Sequence, residues 1–107
     1  MTNKGITMNN NYFKKFEENF NELQFHLKRQ FYQGRYDNGV IEVFYQKIKP
    51  LLTKISNRHN LEEYLTFIEF TKKQLPDAIS YQNSEHFNQL LKEIYNQTKH
   101  LLETIDS

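Results

Sequence analysis

Apolar side chains recur along this chain at alternating steps of three and four residues, and only an α-helix with one buried face satisfies that period. Four stretches carry it. In the first, Phe13, Phe16, Phe20, Leu23, Leu27 and Phe31 form one stripe; in the second, Val40, Ile41, Phe44, Ile48, Leu51, Leu52 and Ile55 do so. The third uses Leu61, Tyr64, Leu65, Ile68 and Leu75, and the fourth Phe87, Leu90, Leu91, Ile94, Leu101 and Ile105. No stretch alternates at period two, so no strand signal competes.

Local punctuation sets the expected boundaries. The first helix spans about residues 11–33, with Gly34 as its C-terminal stop. Glu17, Glu18 and Glu22 precede Lys28 and Arg29 in the order the helix dipole favours, against Lys14 and Lys15. Tyr36-Asp37-Asn38-Gly39 is a turn by composition. Pro50 interrupts the second helix and leaves two readings open: one helix kinked there, or a break with Pro50 opening a short new helix. Asn60 with Glu63 has the spacing of a capping box for the third helix, which is expected to stop at or before Pro76. Residues 76–83 then form a loop, with Ile79 and Tyr81 tucked against the helices. The fourth helix starts near Asn83 or Ser84 and frays after Glu103. Short connections between helices of this length predict an all-α, antiparallel four-helix bundle. It forms a single domain over residues 11–107, behind a polar, flexible N-terminal tail over residues 1–10.

A chain of 107 residues holds one modest core, and its 37% apolar content is low for the purpose. Nine Phe and seven Tyr make up the difference, because each large ring buries about 150–250 Å². The absence of Cys excludes disulfides, thiolate metal sites and Cys nucleophiles. No apolar run approaches the roughly 20 residues of a membrane span, and the Asn-rich start has no signal-peptide core. A cytoplasmic protein is expected.

The residues offer little to catalysis. His26, His59, His86 and His100 are not preceded by Glu at three residues, and no His-Glu-x-x-His occurs. Glu22 with His26 and His100 with Glu103 have the spacing of surface pairs on a helix. Gly5, Gly34 and Gly39 are too scattered for a phosphate loop. None of Ser56, Ser80, Ser84 and Ser107 stands in the context of a nucleophile elbow. No Arg precedes a His at the spacing of helical ribonuclease domains. Glu17-Glu18 and Glu62-Glu63 are adjacent on their helices and so point about 100° apart. The expectation is a protein without enzymatic activity, metal or cofactor.

Two surface features point to binding. Phe25 and Tyr32 fall off the core stripe of the first helix, and Phe70 falls opposite that of the third. Exposed rings that converge mark protein interfaces. Charge is also uneven. Residues 28–58 hold Lys28, Arg29, Arg35, Lys47, Lys49, Lys54 and Arg58 against Asp37 and Glu42, whereas residues 59–107 hold eight acids against four lysines. The candidate partner-binding residues are therefore Phe25, Tyr32 and Phe70, with Arg35, Lys47, Lys49, Lys54 and Arg58 as the basic set. Either the basic middle faces a partner, or it pairs with the acidic second half.

In the second half, Leu61-Glu62-Glu63-Tyr64-Leu65-Thr66-Phe67-Ile68 leads to Ile79-Ser80-Tyr81 and then Phe87-Asn88-Gln89-Leu90-Leu91-Lys92-Glu93-Ile94. This half resembles the cytosolic immunity proteins that accompany small class II bacteriocins of Gram-positive bacteria. The long first helix and Pro50 depart from that pattern, and no functional residue carries over. The resemblance implies a non-enzymatic protein that protects its producer through a membrane receptor complex, with specificity in the C-terminal half. The expected function is thus a protein-binding or neutralising module, with a toxin or a membrane receptor complex as partner. A small phage- or plasmid-type regulator binding nucleic acid through residues 28–58 and a self-associating homodimer are the alternatives.

Overall fold

A computed structural model describes residues 10–105 of the chain. Those residues form four α-helices and no strand: α1 (Asn10–Gln33), α2 (Gly39–Leu52), α3 (Arg58–Ser80) and α4 (Ser84–Leu102). The tail expected over residues 1–10 lies outside the described residues except for Asn10, which opens α1.

The stripes read from the sequence meet in one core. Phe16, Leu27, Ile41, Ile48, Leu75 and Ile94 are fully enclosed there. Side-chain contacts join four pairs of helices: α1 with α4, α1 with α2, α2 with α3, and α3 with α4. Phe31 of α1 stacks on Phe87 of α4 at 4.6 Å, and farther along the same helices Phe16 and Phe20 each meet Tyr95 at 5.2 Å. The Tyr95 hydroxyl donates to Glu17 at 2.9 Å. On the other flank of α1, Lys47 of α2 reaches Glu22 at 2.6 Å. Lys72 of α3 reaches Glu42 of α2 at 2.7 Å. Inside the core, the hydroxyls of Tyr64 on α3 and Thr98 on α4 share a buried hydrogen bond of 2.8 Å.

α1 ends as Gly34 implies. That glycine has φ +70°, its amide donates to Phe31, and the Arg35 amide donates to Gln30. This double bond pattern closes a helix with one left-handed residue. α2 is not broken at Pro50. The proline lies in its last turn, where a missing amide removes only one bond before the helix ends at Leu52.

α3 departs furthest from the sequence reading. It begins two residues before Asn60, because Asn57 is the cap: its Oδ1 accepts from the Asn60 amide at 3.0 Å. It also runs through Pro76 to Ser80. The apolar phase explains the continuation, since Leu75, Ala78 and Ile79 are all buried on the same face. Burial of these side chains outweighs the bond that Pro76 cannot make. The expected loop over 76–83 shrinks accordingly to Tyr81–Asn83. Tyr81 does not tuck in; it is 79% exposed.

Candidate functional site

With the apolar stripes consumed by the core, the candidate binding groups are those that the helices carry outward. On α1, Phe25 and Tyr32 are seven residues apart, nearly two turns, so they share a face. They are 62% and 84% exposed. Phe25 is not bare: the Arg29 guanidinium lies 5.7 Å from its ring centre, and the His26 ring meets it edge-on at 5.4 Å. Arg29 in turn contacts His26 Nδ1 at 3.1 Å. His26 therefore engages Arg29 and Phe25 rather than Glu22, which Lys47 occupies. That lysine also holds the Glu22 carboxyl below its ordinary pKa, through its hydrogen bond and its charge.

Phe70 stands on α3, 53% exposed, beside the half-buried Phe67. Among the described residues no ring contact links it to Phe25 or Tyr32. The three rings sought from the sequence thus form two separate features, a stripe on α1 and a ring on α3. Sequence reasoning missed Val43, which is 51% exposed on α2, and Tyr81. Val43 was legible as a position off the apolar stripe; Tyr81, which follows the end of α3, was not.

The basic set divides as well. Lys47 is paired with Glu22, and the Lys54 ammonium lies 5.6 Å from the Tyr12 ring centre. Arg35, Lys49 and Arg58 are exposed and make no ion pair among the described residues. Among the described residues, none of the lysines and arginines of residues 28–58 pairs with an acid of the second half; the α2–α3 ion pair runs the other way, from Lys72 to Glu42. The pairing of the basic middle with the acidic second half is therefore not how the described residues are arranged.

Two grooves accompany these features. Between α1 and α2, a hollow of about 330 Å³ has Leu23, Val40, Val43 and Phe44 among its walls, with the Lys47–Glu22 pair at its rim. Beside it in sequence, the Tyr36 hydroxyl is enclosed without a hydrogen-bond partner among the described residues, and burial raises its pKa. A second groove lies between α3 and α4 and includes Phe67 and Phe70. Among the described residues, no three His, Asp or Glu side chains come together as a metal site, and no helix is long and apolar enough to cross a membrane. The ion pairs of His59 with Glu63, at 3.1 Å, and of His100 with Glu103, at 3.5 Å, are exposed pairs within one helix or at its end. Compared with known proteins, the chain matches no family model, no curated protein and no solved structure.

Proposed function

We propose that this chain is an antiparallel four-helix bundle that acts in the cytoplasm by binding another protein, without catalysing a reaction. The single observation carrying this reading is the set of large rings held outward while the core is already filled. Phe25, Tyr32 and Phe70 are each more than half exposed. Tyr and Phe give much contact area for little conformational entropy, which is why aromatic anchors dominate protein interfaces. The contact of Phe31 with Phe87 and of Phe16 with Tyr95 supports α1 and α4 running in opposite senses. The concrete form we favour is an immunity-like protein that shields its producer by engaging a toxin or a membrane receptor complex. The nucleic-acid alternative draws on Arg35, Lys49 and Arg58, but Lys47 and Lys54 are engaged within the chain. That leaves a small footprint for phosphates.

The test is capture of partners from the native host's lysate, membranes included, with the wild-type chain, a Phe25→Ala/Tyr32→Ala variant and Phe70→Ala. The reading expects one protein retained in stoichiometric amount and lost with at least one variant. Recovery of nucleic acid alone, of the chain alone, or of the same set by all three baits overturns it.

A further inference from the structure

Two hollows open where α3 packs on α4. The larger, about 640 Å³, includes Glu62, Thr66, Phe67 and Phe70 in its lining. The smaller, about 210 Å³, includes Tyr64, His100 and Leu101. Glu63 and Gln97 line both, so the hollows join into one groove along the two helices. No Lys or Arg lines either hollow; the formal charges are those of Glu62 and Glu63. Glu63 is approached by the His59 imidazole, and Glu62 makes no ion pair among the described residues.

The groove therefore offers phenyl rings beside negative charge that no Lys or Arg in its lining compensates. The α1–α2 hollow differs in degree: Lys47 neutralises Glu22 there, and the one remaining carboxylate in its lining, Asp37, accepts from the Gly39 amide. From His59 to Phe70 the α3 wall rises about 17 Å, the length of three helical turns. Helices recognise such grooves by laying an apolar face on the floor and flanking cations on the walls. Acidic walls repel phosphate backbones and steer cations inward.

We propose that the α3–α4 groove docks a lysine- or arginine-rich amphipathic helix of another protein. Phe67 and Phe70 receive its apolar face, and Glu62 and Glu63 its cations. This rests on the protein-binding reading above and names the face and the partner's chemistry.

The probe is a fluorescein-labelled synthetic helix of about four turns, with leucines on one face and lysines on the other. It is titrated with the full chain and read by anisotropy. Phe70→Ser is expected to weaken binding about tenfold or more. Glu62→Gln with Glu63→Gln weakens it and flattens its salt dependence. Thr66→Lys, which sets a like charge in the groove, abolishes it, and Asn21→Lys at an exposed position of α1 leaves it unchanged. Phe70 and Thr66 are both exposed, so these variants keep the native circular dichroism and melting temperature. Undiminished binding by Phe70→Ser and Thr66→Lys, equal binding of a glutamate-for-lysine probe, or no binding by the native chain overturns the proposal. So does a mass that doubles with concentration in the native chain but not in Phe70→Ser, which would seat a second copy in the groove. The broader protein-binding reading fails separately, through the lysate capture, if all three baits recover the same set.

Discussion

Gln82 shows how much one side chain can take on. It sits at φ +53°, in the left-handed region that usually belongs to glycine, and closes α3 as Gly34 closes α1. The Gln82 amide donates to Ile79 and the Asn83 amide to Ala78, the same double pattern. Glutamine is costly there, by roughly 1–2 kcal/mol, because its Cβ crowds the following carbonyl. Its side chain offsets that cost: Nε2 donates to the Phe31 carbonyl at 2.5 Å and to the Ile79 carbonyl at 3.1 Å. One amide thus satisfies carbonyls at the ends of two helices distant in sequence. Gln82→Ala keeps the strained backbone and loses both bonds, so it should destabilise by about 1–2 kcal/mol. Gln82→Gly loses the same bonds but relieves the strain, and should be less harmful than alanine by about 1 kcal/mol. Urea denaturation of the three proteins measures both differences; equal losses for Ala and Gly would show that the backbone stores no strain at this turn.

At the scale of the element, the caps are set by side-chain geometry that spacing alone does not rank. Asn57 and Asn83 both have extended backbone and accept from the amide three residues on, at 3.0 and 3.1 Å. Replacing either with Ala should cost about 1 kcal/mol, whereas Asn60→Ala, inside the first turn of α3, should cost a few tenths. Thermal melts of the three variants test the order. Pro76 makes a complementary case: its nitrogen cannot donate to the Lys72 carbonyl, yet α3 continues for another turn. Pro76→Ala should therefore stabilise by about 1–2 kcal/mol, after allowance for the greater freedom of the unfolded chain. A loss of stability in the same denaturation assay would mean that the ring packs more than its missing bond costs. These two helix ends also explain what was legible in the sequence. The stripes of α1, α2 and α4 follow from periodicity because burial repeats with the helix. The far end of α3 does not, because a proline inside the helix imitates a stop and the true stop is a glutamine where glycine is expected. The candidate site divides similarly: Phe25, Tyr32 and Phe70 are outward by phase alone, but which of them share a surface depends on how helices pack. The α3–α4 groove joins Glu63 to Gln97 across a separation that no local pattern reports.

Across the whole molecule, three tyrosine hydroxyls are drawn into the fold from different helices and a loop. Tyr64 shares its bond with Thr98, Tyr95 donates to Glu17, and Tyr36 has no partner among the described residues. Burial is the leading cause that raises the pKa of each, with the Glu17 carboxylate adding to it at Tyr95 and Asp37 at Tyr36. The unfolded chain releases these protons at about pH 10. The folded chain holds them to higher pH, so above that point it binds more protons than the unfolded state and its stability falls as pH rises. Below it both states are protonated and stability is level. Lys72, whose pKa is raised by hydrogen bonds to Glu42 and Glu69, acts in the same direction, weakly because the pair is exposed to solvent on the carboxylate side. The urea midpoint should therefore be flat between about pH 7 and 9 and drop steeply above about pH 10. Each fully withheld tyrosine proton adds up to about 1.4 kcal/mol per pH unit to that slope. Tyr64→Phe lowers the midpoint at neutral pH by stranding the Thr98 hydroxyl, but it should also make the alkaline limb shallower, and Tyr36→Phe should do the latter with little cost at neutral pH. The slope rather than the level carries the argument. A midpoint that stays constant through the alkaline range, or a limb equally steep in both phenylalanine variants, would show that these hydroxyls ionise in the folded chain and that its interior admits water around them.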